Sequence, residues 1–463
     1  MVFSSFTFLL LFLPASVVCT LIARGIRTKN AVLCLFSLVF YAWGEPVYIL
    51  LMLGSILFNY LVGLGMARYP GRKTLLMVLA AAVNIGAIVF FKYLDMLLSV
   101  WNGIFGARIP LAGIALPIGI SFYTFQILSY VIDVYRGKTE PQRDLLTLAT
   151  YISMFPQLVA GPIVRYETVR EQLKSRRVTV EDFAAGLSRT AIGLGKKVLL
   201  ANQMALVADA VFDSGNAPAC VLWIGAVCYA LQIYFDFSGY SDMAIGMGRM
   251  FGFTFLENFN EPYLADSVTD FWRRWHISLS SWFREYVYIP LGGNRRGPSR
   301  QVFNLLVVWL LTGLWHGASW NFALWGLYYG VLLILEKFLL GKRIERIPGF
   351  FRHLGTLLLV LIGWVIFRVE DVGALGGVFA EMFTFRTAGT ADWFLFNASA
   401  LQALTVLPVA LIACVPVRRL LAVRFGEKRW FAGAGRIWAL LVWFLSLAML
   451  LGESYNPFIY FRF

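Results

Sequence analysis

Leu311 to Gly326 reads LTGLWHGASWNFALWG, and how this stretch is read decides the fold. Apolar runs flank it, Val302–Leu311 before and Phe322–Leu335 after. They form the cores of two predicted spans, Val302–Trp315 and Trp320–Leu335, and His316 stands between them. It is one of three histidines in 463 residues. An ionisable imidazole at membrane depth is costly to hold, so it reads as a working group. The competing reading is a packed histidine, hydrogen-bonded between helices. Around it, Trp315, Gly317, Ala318 and Trp320 alternate bulk with small residues, which lets backbone or substrate come close.

Composition extends this reading to the whole chain. Hydrophobic residues make up 59% and charged residues 14%, with a mean hydropathy of +0.71. Soluble domains hold roughly 45–50% apolar and about 25% charged residues. The expectation is an all-α polytopic membrane protein, because lipid offers no partner for unpaired backbone groups. The net charge of +14 gathers in short segments between apolar runs. That pattern fits anchoring to an anionic cytoplasmic leaflet and control of topology. A nucleic-acid partner is disfavoured, since no long basic face or stacking platform is present. Cys19, Cys34, Cys220, Cys228 and Cys414 lie in apolar stretches without a CxxC and read as small core hydrophobes. The first apolar run lacks a basic n-region and a clear cleavage site, so it reads as a retained span.

A span needs about 20 apolar residues, and twelve crossings are predicted. They are Phe3–Ala23, Ala31–Trp43, Val47–Ala67, Leu75–Phe91, Ile109–Val134, Phe183–Val211, Ala219–Phe237, Val302–Trp315, Trp320–Leu335, Leu354–Val369, Ala400–Val415 and Ile437–Leu451. Loops bearing Arg24, Arg27 and Lys29, or Arg68, Arg72 and Lys73, fall on the cytoplasmic side. So do those bearing Arg136 and Lys138, Lys337 to Arg352, and Arg418 to Arg436. Lys92, Asp95 and Arg108 fall in an outer loop, as do Asp209 and Asp213, and Glu370 with Asp371. Leu145–Pro162 has bases at both ends and is broken by Pro156, Gly161 and Pro162, so it reads as a re-entrant segment. The tail from Glu453 lands outside.

Two stretches carry unexpected polarity. Phe235–Phe253, FDFSGYSDMAIGMGRMFGF, holds Asp236 and Asp242, read as hydrogen-bonded helix caps or cavity-lining groups. Glu257–Arg300 is the least membrane-like part. From a helix start at Ser267–Asp270, Phe271, Trp272, Trp275, Leu279 and Trp282 recur at helical spacing, with Arg273, Arg274 and Arg284 between them. This predicts an amphipathic helix along the cytoplasmic interface, followed by a tight turn at Leu291–Asn294 beside Arg295 and Arg296. His353, in a basic juxtamembrane stretch, reads as structural.

Several segments together resemble the membrane-bound O-acyltransferase family, nearest its alginate O-acetyltransferase branch. They are SFYTFQILSYVIDVYRG (Ser121–Gly137), FPQLVAGPIVR (Phe155–Arg165), YFDFSGYSDMAIGMGRMFGF (Tyr234–Phe253), the run Asn258–Arg295, GLWHGASWNFALWG (Gly313–Gly326) and NPFIYFRF (Asn456–Phe463). The resemblance implies a helical bundle of about eleven to twelve spans, with re-entrant segments and cytoplasmic interfacial helices, around a catalytic tunnel. Residues 1–436 would form the catalytic core, and 437–463 a last helix with an extracytoplasmic tail. It implies His316 as the catalytic histidine and His276 as a second one. The donor would be a cytoplasmic acyl thioester, acetyl-CoA in this branch, with no metal. The acceptor would be an exported polysaccharide, reached through a periplasmic or extracellular SGNH-type partner from the bacterial inner membrane.

The chemistry is compatible. A base must take a hydroxyl proton, which suits imidazole near neutral pH. Donors for the oxyanion are sought in the indoles of Trp315 or Trp320 or the Asn321 amide. Arg273, Arg274, Arg284, Arg295 and Arg296 are read either as phosphate holders at the cytoplasmic mouth or as anchors of the interfacial helix. FIYFRF resembles the C-terminal motif of the small partner peptide of teichoic-acid D-alanylation, which implies that Tyr460 carries the acyl group. An aromatic belt at the interface is the plainer reading. Other classes stay open: a transporter or proton-coupled channel with His316, Asp236 and Asp242 as relays, a scaffold, or a transferase fed by an acyl-carrier protein.

Overall fold

A computed structural model describes residues 1–159, 161–215, 217–384, 396, 398–426 and 428–452. Helices account for all regular structure among the described residues. Seven of them are long and apolar enough to cross a membrane: Ile49–Arg68, Pro70–Phe105, Val180–Phe212, Ala219–Met250, Trp320–Leu340, Gly349–Arg368 and Trp430–Gly452. The other expected crossings fall on shorter or more polar helices, Thr7–Ile22, Ile26–Gly44, Ile120–Arg136 and Pro298–His316. The run from 400 to 415 is two seven-residue helices, Ala398–Leu404 and Leu407–Ala413.

Two long helices differ from expectation for the same physical reason. Pro70–Phe105 runs 36 residues, about 54 Å at 1.5 Å per residue. It passes through Lys92 and Asp95, which the pattern of charges predicts in an outer loop. It is longer than the hydrocarbon layer of about 30 Å, so polar residues near an end need not break it. Ala219–Met250 runs 32 residues and contains Asp236 and Asp242 in its interior, so neither is a helix cap. Each carboxylate is instead neutralised by a base. Asp242 binds Arg189 at 2.8 Å. Asp236 binds Lys197 at 2.5 Å, and both side chains are almost wholly buried. Lys197 sits in the π-helical turn Lys196–Ala201, within the span Val180–Phe212.

The chain divides into two compact units. One comprises Met1–Thr190 with Ser241–Leu256, the other Ala191–Tyr240 with the chain from Glu257 onward. In the first, Phe3, Phe8, Phe12, Phe40 and Phe155 pack ring against ring. The re-entrant stretch is two short helices, Leu145–Ser153 and Phe155–Leu158, broken at Met154. Both helices are short of a bilayer's thickness. Two of the cysteines read as core, Cys19 and Cys220, are exposed, while Cys34, Cys228 and Cys414 are buried.

In the second unit the expected interfacial helix is two helices, Val268–Arg274 and Ile277–Phe283. The break falls on His276, whose φ of +46° is rare for a side-chain-bearing residue. Ser267 Oγ caps the first piece by accepting from the Asp270 amide at 3.1 Å. Glu336 accepts from the Val268 and Thr269 amides at 2.8 and 3.1 Å. Phe271, Trp272, Trp275 and Trp282 are all buried, because the segment packs into an aromatic core rather than lying on a surface. His353 Nδ1 meets the Ala265 carbonyl at 2.9 Å, a structural role.

Candidate active site

His316 is the last residue of the helix Pro298–His316; Gly317 and Ser319 are extended and Trp320–Ile334 follows. The two helices approach at backbone distance. A methyl group on Gly313 would strike the Phe322 carbonyl, and one on Gly326 the Trp309 carbonyl. Small residues at such a crossing let helices in lipid pack closely. The crossing holds His316 inside the protein, 6% exposed. Its ring lies 5.0 Å from that of Trp315, 5.1 Å from Trp325 and 5.2 Å from Phe367, each edge to face.

His276 reaches the same aromatic group. It packs 5.8 Å from the Trp315 ring and 4.6 Å from Phe237, so both imidazoles lie against one indole. Its Nδ1 is 3.2 Å from Asn258 Oδ1, which also accepts from the Ser278 amide at 3.1 Å. A backbone amide can only donate, so the Asn258 atom there is the oxygen, and His276 Nδ1 carries the proton. Nε2 then presents a lone pair, buried and without a partner among the described residues. Burial pushes the imidazolium down to about 3, which keeps His276 neutral at any working pH.

Residues to which the sequence gives no role in the site complete it. Trp272, Trp309, Trp325 and Tyr329 form one cluster, with ring separations of 4.6 to 6.2 Å. The indole N–H groups of Trp272 and Trp325 and the Tyr329 hydroxyl are buried donors with no partner among the described residues. Buried donors are almost always satisfied in folded proteins, so three together ask for an acceptor from outside. Aromatic residues are too common in this chain, at 16%, for these to have stood out.

The donors expected from sequence fare differently. Trp315 touches His316. Trp320 is 60% exposed and lines an outward apolar groove with Phe303, Leu310 and Leu327. Asn321 is buried, but its amide donates to the Phe367 carbonyl at 3.1 Å, which fixes the helix carrying Phe367. Among the arginines, Arg274 is held by Asp270 at 2.8 Å. Arg273, Arg284, Arg295 and Arg296 are exposed. Tyr460 lies outside the described residues.

Helices long and apolar enough to cross a membrane, with two buried imidazoles enclosed by aromatic rings, define an integral membrane enzyme. The model of MBOAT, the membrane-bound O-acyltransferase family, matches residues 141–342, the stretch holding both histidines. The chain is 39% identical to the probable alginate O-acetylase AlgI of Pseudomonas putida, over all of both chains. It is 36% identical to a peptidoglycan O-acetyltransferase of Helicobacter pylori, over 73% of this chain and 71% of that one. With a teichoic acid D-alanyltransferase of Bacillus subtilis it shares 30% identity, over 48% and 59% of the two. The chain belongs to the membrane-bound O-acyltransferase family, in its alginate O-acetylase branch, and it is an O-acyltransferase.

Proposed function

We propose that this membrane O-acetyltransferase takes acetyl from cytoplasmic acetyl-CoA and passes it across the bilayer toward hydroxyls of an exported, alginate-like polysaccharide. The observation that carries the reading is the setting of His316: a buried imidazole at a helix end, with beside it the indole donor of Trp325, which has no partner among the described residues. The attacking hydroxyl gives its proton to His316 as its oxygen bonds the thioester carbon. The carbonyl oxygen becomes anionic and takes the Trp325 N–H, with that of Trp315. The C–S bond then breaks, and the leaving thiolate recovers the proton as CoA thiol. His276, neutral and held by Asn258, offers Nε2 to a donor group of substrate.

Tyr460 is the first acceptor in this scheme. A phenol, with a pKa of about 10, loses its proton far more readily than a sugar hydroxyl. Its aryl ester keeps the acetyl activated for a second transfer, performed by a periplasmic or extracellular SGNH-type enzyme at the inner membrane. The exposed Arg273, Arg284, Arg295 and Arg296 hold the CoA phosphates, while Arg274 is occupied by Asp270. The ion pairs of Asp236 and Asp242 with Lys197 and Arg189 weigh against a carboxylate proton relay.

Incubating the purified protein with radiolabelled acetyl-CoA tests the scheme. Label is expected on Tyr460, lost in Tyr460→Phe and in a folded His316→Ala variant, with no free CoA released by the latter. A His316→Ala protein that still releases CoA and acetylates polymer would remove the base role. Label absent from Tyr460, with Tyr460→Phe fully active, would remove the relay.

A further inference from the structure

The first unit contains a cation that the acyl-transfer reading leaves unused. Arg176 follows the helix Tyr166–Lys174 and precedes Val180–Gly195. Its side chain is drawn inward. Nε donates to the Phe251 carbonyl at 3.0 Å and Nη1 to Asn30 Oδ1 at 2.6 Å and to the Gln172 carbonyl at 3.2 Å. The guanidinium lies 4.5 Å over the Phe253 ring, and its stem runs against Gly252, whose φ is +84°. Every one of these partners is neutral. Nη2 is buried and has no partner at all among the described residues. Burial alone lowers the guanidinium to about 10, and no carboxylate offsets it.

A buried, permanently charged group without a counter-ion is expensive, and proteins usually pair one. Here a small cavity adjoins it, lined by Val17, Thr20, Leu21, Lys29, Arg176 and Phe251, together with Val178 and Met250. The cavity brings a second base, Lys29, and no acid. Its other wall is apolar and belongs to the end of the helix Leu13–Ile22, where Val18, Leu21 and Ile22 are exposed. Arg24 stands in the following turn and Arg27 in the first turn of the helix Ile26–Gly44, both exposed. The charge pattern assigns this loop, and that of Arg176, to the cytoplasmic face.

Two bases that lack a counter-ion among the described residues, set where an apolar span meets a basic loop, match one kind of ligand. We propose that Arg176 and Lys29 form a binding site for the phosphate of an anionic phospholipid of the inner leaflet, with its acyl chains along Val18, Leu21 and Ile22. The phosphate oxygen takes the Nη2 hydrogens and the Lys29 ammonium, the charge-assisted geometry in which arginine excels. A zwitterionic headgroup brings its own cation toward Lys29 and binds less well. The bound lipid locks Arg176, and through it Asn30 and Phe251.

Native mass spectrometry of the delipidated full chain tests this, titrated separately with phosphatidylglycerol and phosphatidylcholine. Phosphatidylglycerol is expected to bind more tightly, and Lys29→Glu to weaken it by about tenfold or more. Arg176→Gln should do the same. Lys29 is half-buried and its side chain makes no hydrogen bond or ion pair among the described residues, so its variant keeps the test decisive should Arg176→Gln fold poorly. Equal binding of the two lipids, or binding indifferent to Lys29→Glu, would overturn the proposal. So would protection of the site by inorganic phosphate or CoA with no lipid preference, which would identify a soluble phosphate as the ligand. None of these readouts depends on acetyl transfer, so failure here leaves the catalytic reading standing.

Discussion

His276 occupies a backbone conformation that most residues avoid and an interior that its own charged form avoids. Both costs are met by Asn258, which holds Nδ1, and by Phe237 and Trp315, which enclose the ring. The pH dependence follows. In the folded protein the imidazole resists protonation down to about pH 3, while in the unfolded chain it protonates near 6.5. Below that value the unfolded state binds the extra proton, so stability is lost as pH falls. Asn tolerates a positive φ and does not titrate, so His276→Asn is the reference. The difference in thermal midpoint between wild type and His276→Asn in detergent should be constant above about pH 7. It should shift against the wild type from about pH 6 downward. A flat difference would mean that the ring sits in water. At this scale the sequence was partly legible. A histidine in an apolar run is conspicuous because it is costly and rare, and so His316 stood out. Trp325 and Phe367 did not, because an aromatic residue in a membrane helix is equally at home facing lipid.

At the scale of elements, the helix pair that carries His316 depends on contacts that admit no side chain. Gly326 faces the Trp309 carbonyl, and a methyl there meets backbone, which cannot rotate away. Gly326→Ala should separate the helices and cost about 1–3 kcal/mol by overpacking. Acetyl transfer should fall further than stability does, because Trp309 and Trp325 belong to the cluster beside His316. Gly355, in the helix Gly349–Arg368, has nothing within reach of an added methyl. Gly355→Ala should therefore be neutral or stabilising by up to about 1 kcal/mol. Thermal unfolding and transfer assays on the two variants check this, and equal behaviour would refute it. Apolar runs betrayed most helices, but not where they end. Lys92, Asp95, Asp236 and Asp242 each look like a terminus when charge is taken to exclude a residue from a span. A long helix carries its charges past the hydrocarbon or pairs them, as Lys197 does for Asp236, and the partner is distant in sequence. The break at His276 was hidden for the opposite reason, since Trp272, Trp275, Leu279 and Trp282 keep helical spacing across it.

For the molecule as a whole, the relay through Tyr460 depends on the parity of the crossings. The weakest link is the pair Ala398–Leu404 and Leu407–Ala413. Each is about 10 Å long, and even end to end they fall short of a hydrocarbon layer of about 30 Å. If this pair does not cross, the basic segment Arg418–Arg436 lies outside and the tail turns to the cytoplasm. Six bases, Arg418, Arg419, Arg424, Lys428, Arg429 and Arg436, argue against that arrangement, since such clusters stay on the cytoplasmic side. A short broken helix can cross where surrounding protein and local thinning of the bilayer shield it, and Ala400, Ala403 and Ala410 are fully buried. The expectation is therefore that Arg424 is inside and Tyr460 outside. With the five native cysteines replaced, Tyr460→Cys should react with an impermeant maleimide on intact spheroplasts, and Arg424→Cys only after permeabilisation. The reverse pattern would put the tail on the same side as acetyl-CoA, where an ester on Tyr460 has no access to an exported polymer.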